Sequence, residues 1–111
     1  VTPLAAWLSA FAFTLVVEAP IYQRALRDTP PGRPWAPWLS VPTHPVVYFA
    51  FPALWPGGPL TQTLAAEAFA VLAEGWLLGR LGASRPLAWA LFANATSACL
   101  GLVSRALFGW P

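Results

Sequence analysis

Apolar residues fill four long stretches of the chain, separated by polar or proline-rich breaks. The first covers residues 2–26 and holds a single charge, Glu18, before Arg24. Arg27, Asp28, Arg33 and the prolines Pro30, Pro31, Pro34 and Pro37 follow it. The second, 38–55, is interrupted by Pro42, Pro45 and Pro52, and Pro56-Gly57-Gly58-Pro59 then predicts a tight turn. The third covers 60–81 and the fourth 86–109. A helix needs about 20 apolar residues to cross a bilayer, a length that the first, third and fourth stretches reach. Within the second, Thr43-His44-Pro45 predicts a helix start, with Thr43 as N-cap and Pro45 in the first turn. A helix from His44 to Trp55 would span only about 18 Å. That segment is then short, re-entrant, or kinked at proline and supported by its neighbours.

Composition indicates the solvent these helices face. Of 111 residues, 58% are hydrophobic and 9% charged, and mean hydropathy is +0.60. A soluble domain carries about 25% charged residues, and one this small cannot cover so much apolar surface with its own fold. The expected fold class is an all-α integral membrane protein. It is read as a compact bundle of four transmembrane helices, the second short and proline-broken, forming one domain over 1–111 with the lipid bilayer around it.

Charge orients that bundle. Six arginines stand against four acids, giving net +2 and a pI near 9.3. The arginines are scattered near helix ends and form no basic stripe, which argues against nucleic acid as a partner. The positive-inside rule places loops 27–37 and 81–85 in the cytoplasm. Crossings by the second and third stretches satisfy it, whereas a re-entrant second stretch would leave one basic loop outside. Both chain ends are then expected outside, with Arg105 near a helix end and able to snorkel. Trp7, Trp55 and Trp110 fall towards the outer edge, and Trp35, Trp38, Trp76 and Trp89 towards the inner one, as in aromatic belts. Frequent Ala, Pro, Trp and Arg suit a GC-rich genome and point to a bacterial inner membrane. Cys99 reads as a small buried hydrophobe. The first stretch lacks a basic leader and reads as a retained helix.

Polar groups within the apolar stretches then stand out, because a charge at the bilayer centre costs about 2.5–3.5 kcal/mol on insertion scales. Glu18 lies six residues before Arg24, Glu74 six before Arg80, His44 six after Trp38, and Asn94 eight after Pro86. At about 1.5 Å per residue, all four converge on one layer roughly 9–12 Å inside the helix ends. Glu67, two turns from Glu74 on the same face, is an outer satellite about 10.5 Å away. Ser97 and Thr96 lie beside Asn94. Ala93, Ser97 and Gly101 form a small-residue stripe on the fourth helix, and Gly75-x-x-x-Gly79 gives the third a close-packing face. That glycine pair does not establish a homo-oligomer. Asn94-Ala95-Thr96 matches a glycosylation sequon but falls inside a membrane helix.

Three readings of the cluster compete. It locks the helices by hydrogen bonding, with neutral acids, in a stand-alone protein or an accessory subunit of a larger membrane complex. Or it binds a proton or cation, since Asp, Glu and His chains recur in such pathways. Glu74 is then the titrating acid, His44 its partner and Asn94 the orienting donor, with waters bridging to Glu67. Or Glu18, His44 and Glu74 hold a divalent metal such as zinc, manganese or iron in an intramembrane enzyme, although no HExxH, Ser-His-Asp set or phosphate loop accompanies them. Glu18-Ala19-Pro20, Thr43-His44-Pro45, Glu67 with Glu74, and Asn94 with Ser97 together resemble small uncharacterised four-helix bacterial membrane proteins. That resemblance implies the same four-crossing layout and supplies no activity.

Overall fold

A computed structural model describes residues 2–110, among which every regular element is helical and no strand occurs. Helix α1, Pro3–Ala25, starts where Thr2 is extended and its hydroxyl accepts from the Ala5 amide at 3.1 Å. Pro3 fits the first turn because its missing N–H has no intrahelical partner there. After a short turn, Pro30–Leu39 winds as a 3-10 helix. Pro31, Pro34 and Pro37 recur every third residue, the repeat of that helix, and their rings hold φ within its range. The three prolines are exposed, whereas Gly32, Ala36 and Leu39 are buried against the bundle.

The 3-10 segment takes residues 38 and 39 away from the second helix, which begins at Thr43. Helix α2 comprises Thr43–Pro45, a π-helical turn at Val46–Ala50, and Phe51–Leu54. Pro52 has no N–H to offer the Tyr48 carbonyl, and the Phe51 N–H reaches back five residues to Val46 O. Thr43 is not the N-cap expected from its sequence context. Pro42 holds that position, and the Thr43 side chain serves another purpose. Helix α3, Pro59–Arg80, ends at Gly82, whose φ of +94° lets the Ala83 N–H return to Leu78 O at 3.0 Å. Helix α4, Pro86–Phe108, follows from Arg85, a non-glycine residue with φ 51°.

Short connections join α2 to α3 and α3 to α4. α4 packs against both α1 and α3, and α2 packs against α3. The Trp110 indole N–H donates to the Ser9 hydroxyl, tying the far end of α4 to the start of α1. At the opposite, basic end, buried Gly32 sits so close to Leu81 that an added Cβ would lie 3.3 Å from it. The apolar core lies at this basic end and includes Tyr22, Leu26, Leu39, Leu78, Ala90 and Ala93.

Two helices, α1 and α4, are long and apolar enough to cross a membrane, with mean hydropathies of 1.7 and 1.5 over their most apolar windows. α3 has the length, but Gln62, Glu67 and Glu74 lower its hydropathy; α2 is too short by itself. Cys99, expected to be buried, lies on the exposed face of α4.

Of the glycines expected to mediate packing, only Gly75 sits in a forced approach. A Cβ there would meet the Leu87 side-chain end at 2.7 Å, whereas Gly79 and Gly101 leave 3.6 and 3.7 Å to their nearest neighbours. Leu87 is exposed and its tip can swing aside. Gly75→Ala should therefore shift thermal stability little, whereas Gly75→Ile should cost about 1–3 kcal/mol by prising α3 from α4. Gly79→Ala should gain about 0.5–1 kcal/mol from helix propensity alone. Thermal unfolding of the three variants checks this order.

Candidate buried acid pair

The four-residue spacing of Glu18 and Tyr22 places both on one face of α1. Ser40 follows the 3-10 helix and Thr43 opens α2. Glu74 projects from α3, and Asn94 and Ser97 from α4. These side chains meet at one place. Glu18 is 1% exposed and Glu74 2%. The Glu74 carboxyl accepts from the Tyr22 hydroxyl and Asn94 Nδ2 (3.1 Å) on Oε1, and from the Thr43 hydroxyl on Oε2. Glu18 accepts from Ser40 Oγ at 2.8 Å on one oxygen and from Ser97 Oγ on the other. The two carboxyl groups border one small cavity. Asn94 Nδ2 also donates to Ala90 O at 2.9 Å, which fixes its amide orientation.

All five donors onto the two acids are neutral hydroxyl or amide groups. No arginine reaches them: among the described residues the one ion pair is Arg27–Asp28, 3.7 Å apart on the surface. No buried side-chain nitrogen or oxygen there lacks a partner. A buried polar group left without one costs about 1–3 kcal/mol. Such complete pairing accounts for how so much polarity is accommodated inside the bundle.

Beside the pair lies a cavity of about 120 Å³, bounded by Thr14, Glu18, His44, Glu67, Glu74 and Ser97 among others. A void of about 10–15 Å³ already holds one water, so several fit. Thr14, Glu67, Ser97 and Ala98 also line a second, larger space of about 770 Å³, which extends past Phe13 and Gly101 to Arg105 and Trp110. The two spaces therefore adjoin at these four residues, the larger one lying on the side away from the basic end. Towards the basic end, buried Tyr22, Leu26, Leu39 and Leu78 form the apolar core.

Glu18, Glu74, Asn94 and Ser97 therefore lie together, while Glu67 stands half-buried at the junction of the two spaces. His44 is placed differently from the expected partner of Glu74. Its Nδ1 accepts from the Trp7 indole N–H at 3.1 Å, and its ring lies 5.0 Å from that of Phe11. Thr43, one residue earlier, takes the contact with Glu74. Among the described residues no three His, Cys, Asp or Glu side chains gather as a metal site, so Glu18, His44 and Glu74 do not form the ligand set considered from the sequence.

Tyr22, Ser40 and Thr43 were not among the expected site residues. Tyr22 could have been found as the polar residue one turn beyond Glu18 on the same helix face. Ser40 and Thr43, three residues apart beside the proline run, carried only a capping signal. No family model matches the chain, and no curated protein or solved structure matches it.

Proposed function

We propose that the protein is a four-crossing membrane protein whose Glu18–Glu74 pair binds one exchangeable proton, loaded from the side opposite its arginine-rich loops. The membrane part rests on an inverted distribution of polarity. Glu18, Ser40, Thr43, Glu74 and Asn94 are buried, whereas large apolar side chains such as Leu54 (79% exposed) and Phe108 (77%) face outward. On α3, Glu74 points inward while Leu64, Leu72 and Trp76 point out. An amphipathic crossing of this kind is supported by its neighbours despite its lower hydropathy. Residues 27–37 and 81–85 then face the cytoplasm, most simply at a bacterial inner membrane.

The observation that carries the proton reading is two adjoining buried carboxyls with neutral donors and no cation. Two negative charges this close in a low-dielectric interior repel strongly, and one proton between them removes the conflict. The hydroxyls of Tyr22, Ser40, Thr43 and Ser97 hold the remaining lone pairs, and water in the cavity connects the pair to Glu67. Complete hydrogen-bond satisfaction also favours a second reading, an immobile lock in an accessory subunit.

Infrared spectroscopy of the protein in lipid separates the two. A protonated carboxyl band is expected that shifts within minutes of transfer to D₂O and disappears in both Glu74→Gln and Glu18→Gln. A band that stays unshifted for hours means a locked structural proton and overturns the exchange reading, as does a band that survives both substitutions.

A further inference from the structure

We infer that the concavity formed by Pro20, Gln23, Arg24, Arg27 and Arg33 binds the phosphate headgroup of an anionic phospholipid. This rests on the membrane reading and is independent of the acid pair. The concavity measures about 600 Å³ and brings three of the six arginines together, Arg24 from the end of α1, Arg27 from the turn after it and Arg33 from the 3-10 helix. Among the described residues only Asp28 offers them a carboxylate, and it meets Arg27 alone, at 3.7 Å with its own side chain 91% exposed. Arg24 and Arg33 make no ion pair among the described residues. Each guanidinium presents a planar fork of N–H donors that matches phosphate oxygens two at a time, and the Gln23 amide adds a neutral donor.

The surroundings favour a lipid over a soluble phosphate. Pro20 forms the apolar wall of the concavity, and Val16, one turn further along α1, is exposed, so an acyl chain leaving the phosphate meets an apolar ridge. Trp35 and Trp38 on the 3-10 helix are also exposed, as aromatic side chains at the headgroup level are. The other basic residues at this end are engaged elsewhere: Arg80 lies over the Trp76 ring at 5.8 Å, and Arg85 borders a separate hollow with Trp89. A choline headgroup would bring its own cation against three arginines, whereas a glycerol headgroup would not. The preferred lipid therefore has a net negative charge.

Native mass spectrometry of the detergent-solubilised full chain with phosphatidylglycerol, phosphatidylcholine or inorganic phosphate tests the site. Phosphatidylglycerol should be retained about tenfold over phosphatidylcholine, because both bring a phosphate and only the latter sets a cation against the arginines. The triple variant Arg24→Gln, Arg27→Gln, Arg33→Gln should lose that preference, while Arg80→Gln with Arg85→Gln should keep it. All are surface changes, and the single Arg33→Gln variant, expected to lose part of the preference, serves if the triple variant aggregates. Equal retention of the two lipids, an unchanged preference in the triple variant, or an equal loss in the control pair overturns the site. Displacement of phosphatidylglycerol by millimolar inorganic phosphate assigns the concavity to a soluble ligand and overturns the lipid. A chain that stays monodisperse without detergent overturns the membrane reading itself, an outcome distinct from all of these.

Discussion

Replacing Glu74 by leucine is expected to destabilise the protein by about 3–5 kcal/mol, the usual cost of removing one partner from a buried charged or charge-assisted network. The size follows from what remains. Tyr22, Thr43 and Asn94 all donate to this carboxyl and are themselves buried. Leucine accepts nothing: Tyr22 loses its acceptor outright, at about 1–3 kcal/mol, while Asn94 and Thr43 each lose one acceptor and keep Ala90 O and Ser40 O respectively. Glu74→Gln behaves differently. Its carbonyl oxygen still accepts from Tyr22 and Asn94, and the Thr43 hydroxyl can rotate to accept from the new amide. The glutamine variant should unfold within about 1–2 kcal/mol of the parent and yet lack the exchangeable proton. Reversible unfolding of both variants in lipid or mild detergent measures the gap, and a leucine variant as stable as the glutamine one would sink this account of the cluster.

Removing the donors together with their acceptor should undo most of that loss. The variant Tyr22→Phe, Thr43→Val, Glu74→Leu, Asn94→Leu keeps similar volumes and leaves no orphan around position 74. Exchanging both sides of a hydrogen bond for apolar groups of like shape is close to neutral. It should recover about 2 kcal/mol or more relative to Glu74→Leu alone, a non-additivity typical of groups in one network. Glu18 retains Ser40 and Ser97 in that background. The same variant should show no exchangeable band from the pair. Recovery of stability together with loss of exchange separates holding the helices together from binding the proton; failure to regain stability would mean that the polar network itself holds the fold.

The all-helical character and the number of helices were legible because four apolar stretches are cut by prolines, glycines and arginines. Four membrane crossings go beyond what helix length and hydropathy support, which is two. The reason is α3, whose acids face inward and lower its average even though its outer face is apolar. Depth counting brought Glu18, Glu74 and Asn94 to one level because each lies on a regular helix of fixed rise. His44 borders the same cavity but pairs with Trp7, because residues 30–39 are not α-helical and α2 starts late. A change of one residue rotates a helix face by about 100°, enough to present Thr43 to Glu74 and turn His44 towards Trp7. Ser40 lies at the start of the proline-broken second stretch, where the 3-10 helix ends and α-helical spacing does not apply. Tyr22 is less legible from the sequence because an aromatic residue in an apolar run counts as hydrophobic until its hydroxyl finds a partner.

In the proposed membrane setting, with water reaching the acids from one side only, the apolar layer of Tyr22, Leu26, Leu39 and Leu78 has an electrical consequence. A well that is wet from one side and dry beyond its floor lets an ion enter part of the transmembrane field without leaving on the far side. One elementary charge crossing the whole field is worth about 2.3 kcal/mol per 100 mV, and a proton settling on the acids would feel a fraction of that. Occupancy of the pair would then follow the membrane potential, and a voltage step would move charge transiently while no steady current flowed. In that form the bundle is a capacitor rather than a conductor, and throughflow would require those four side chains to part.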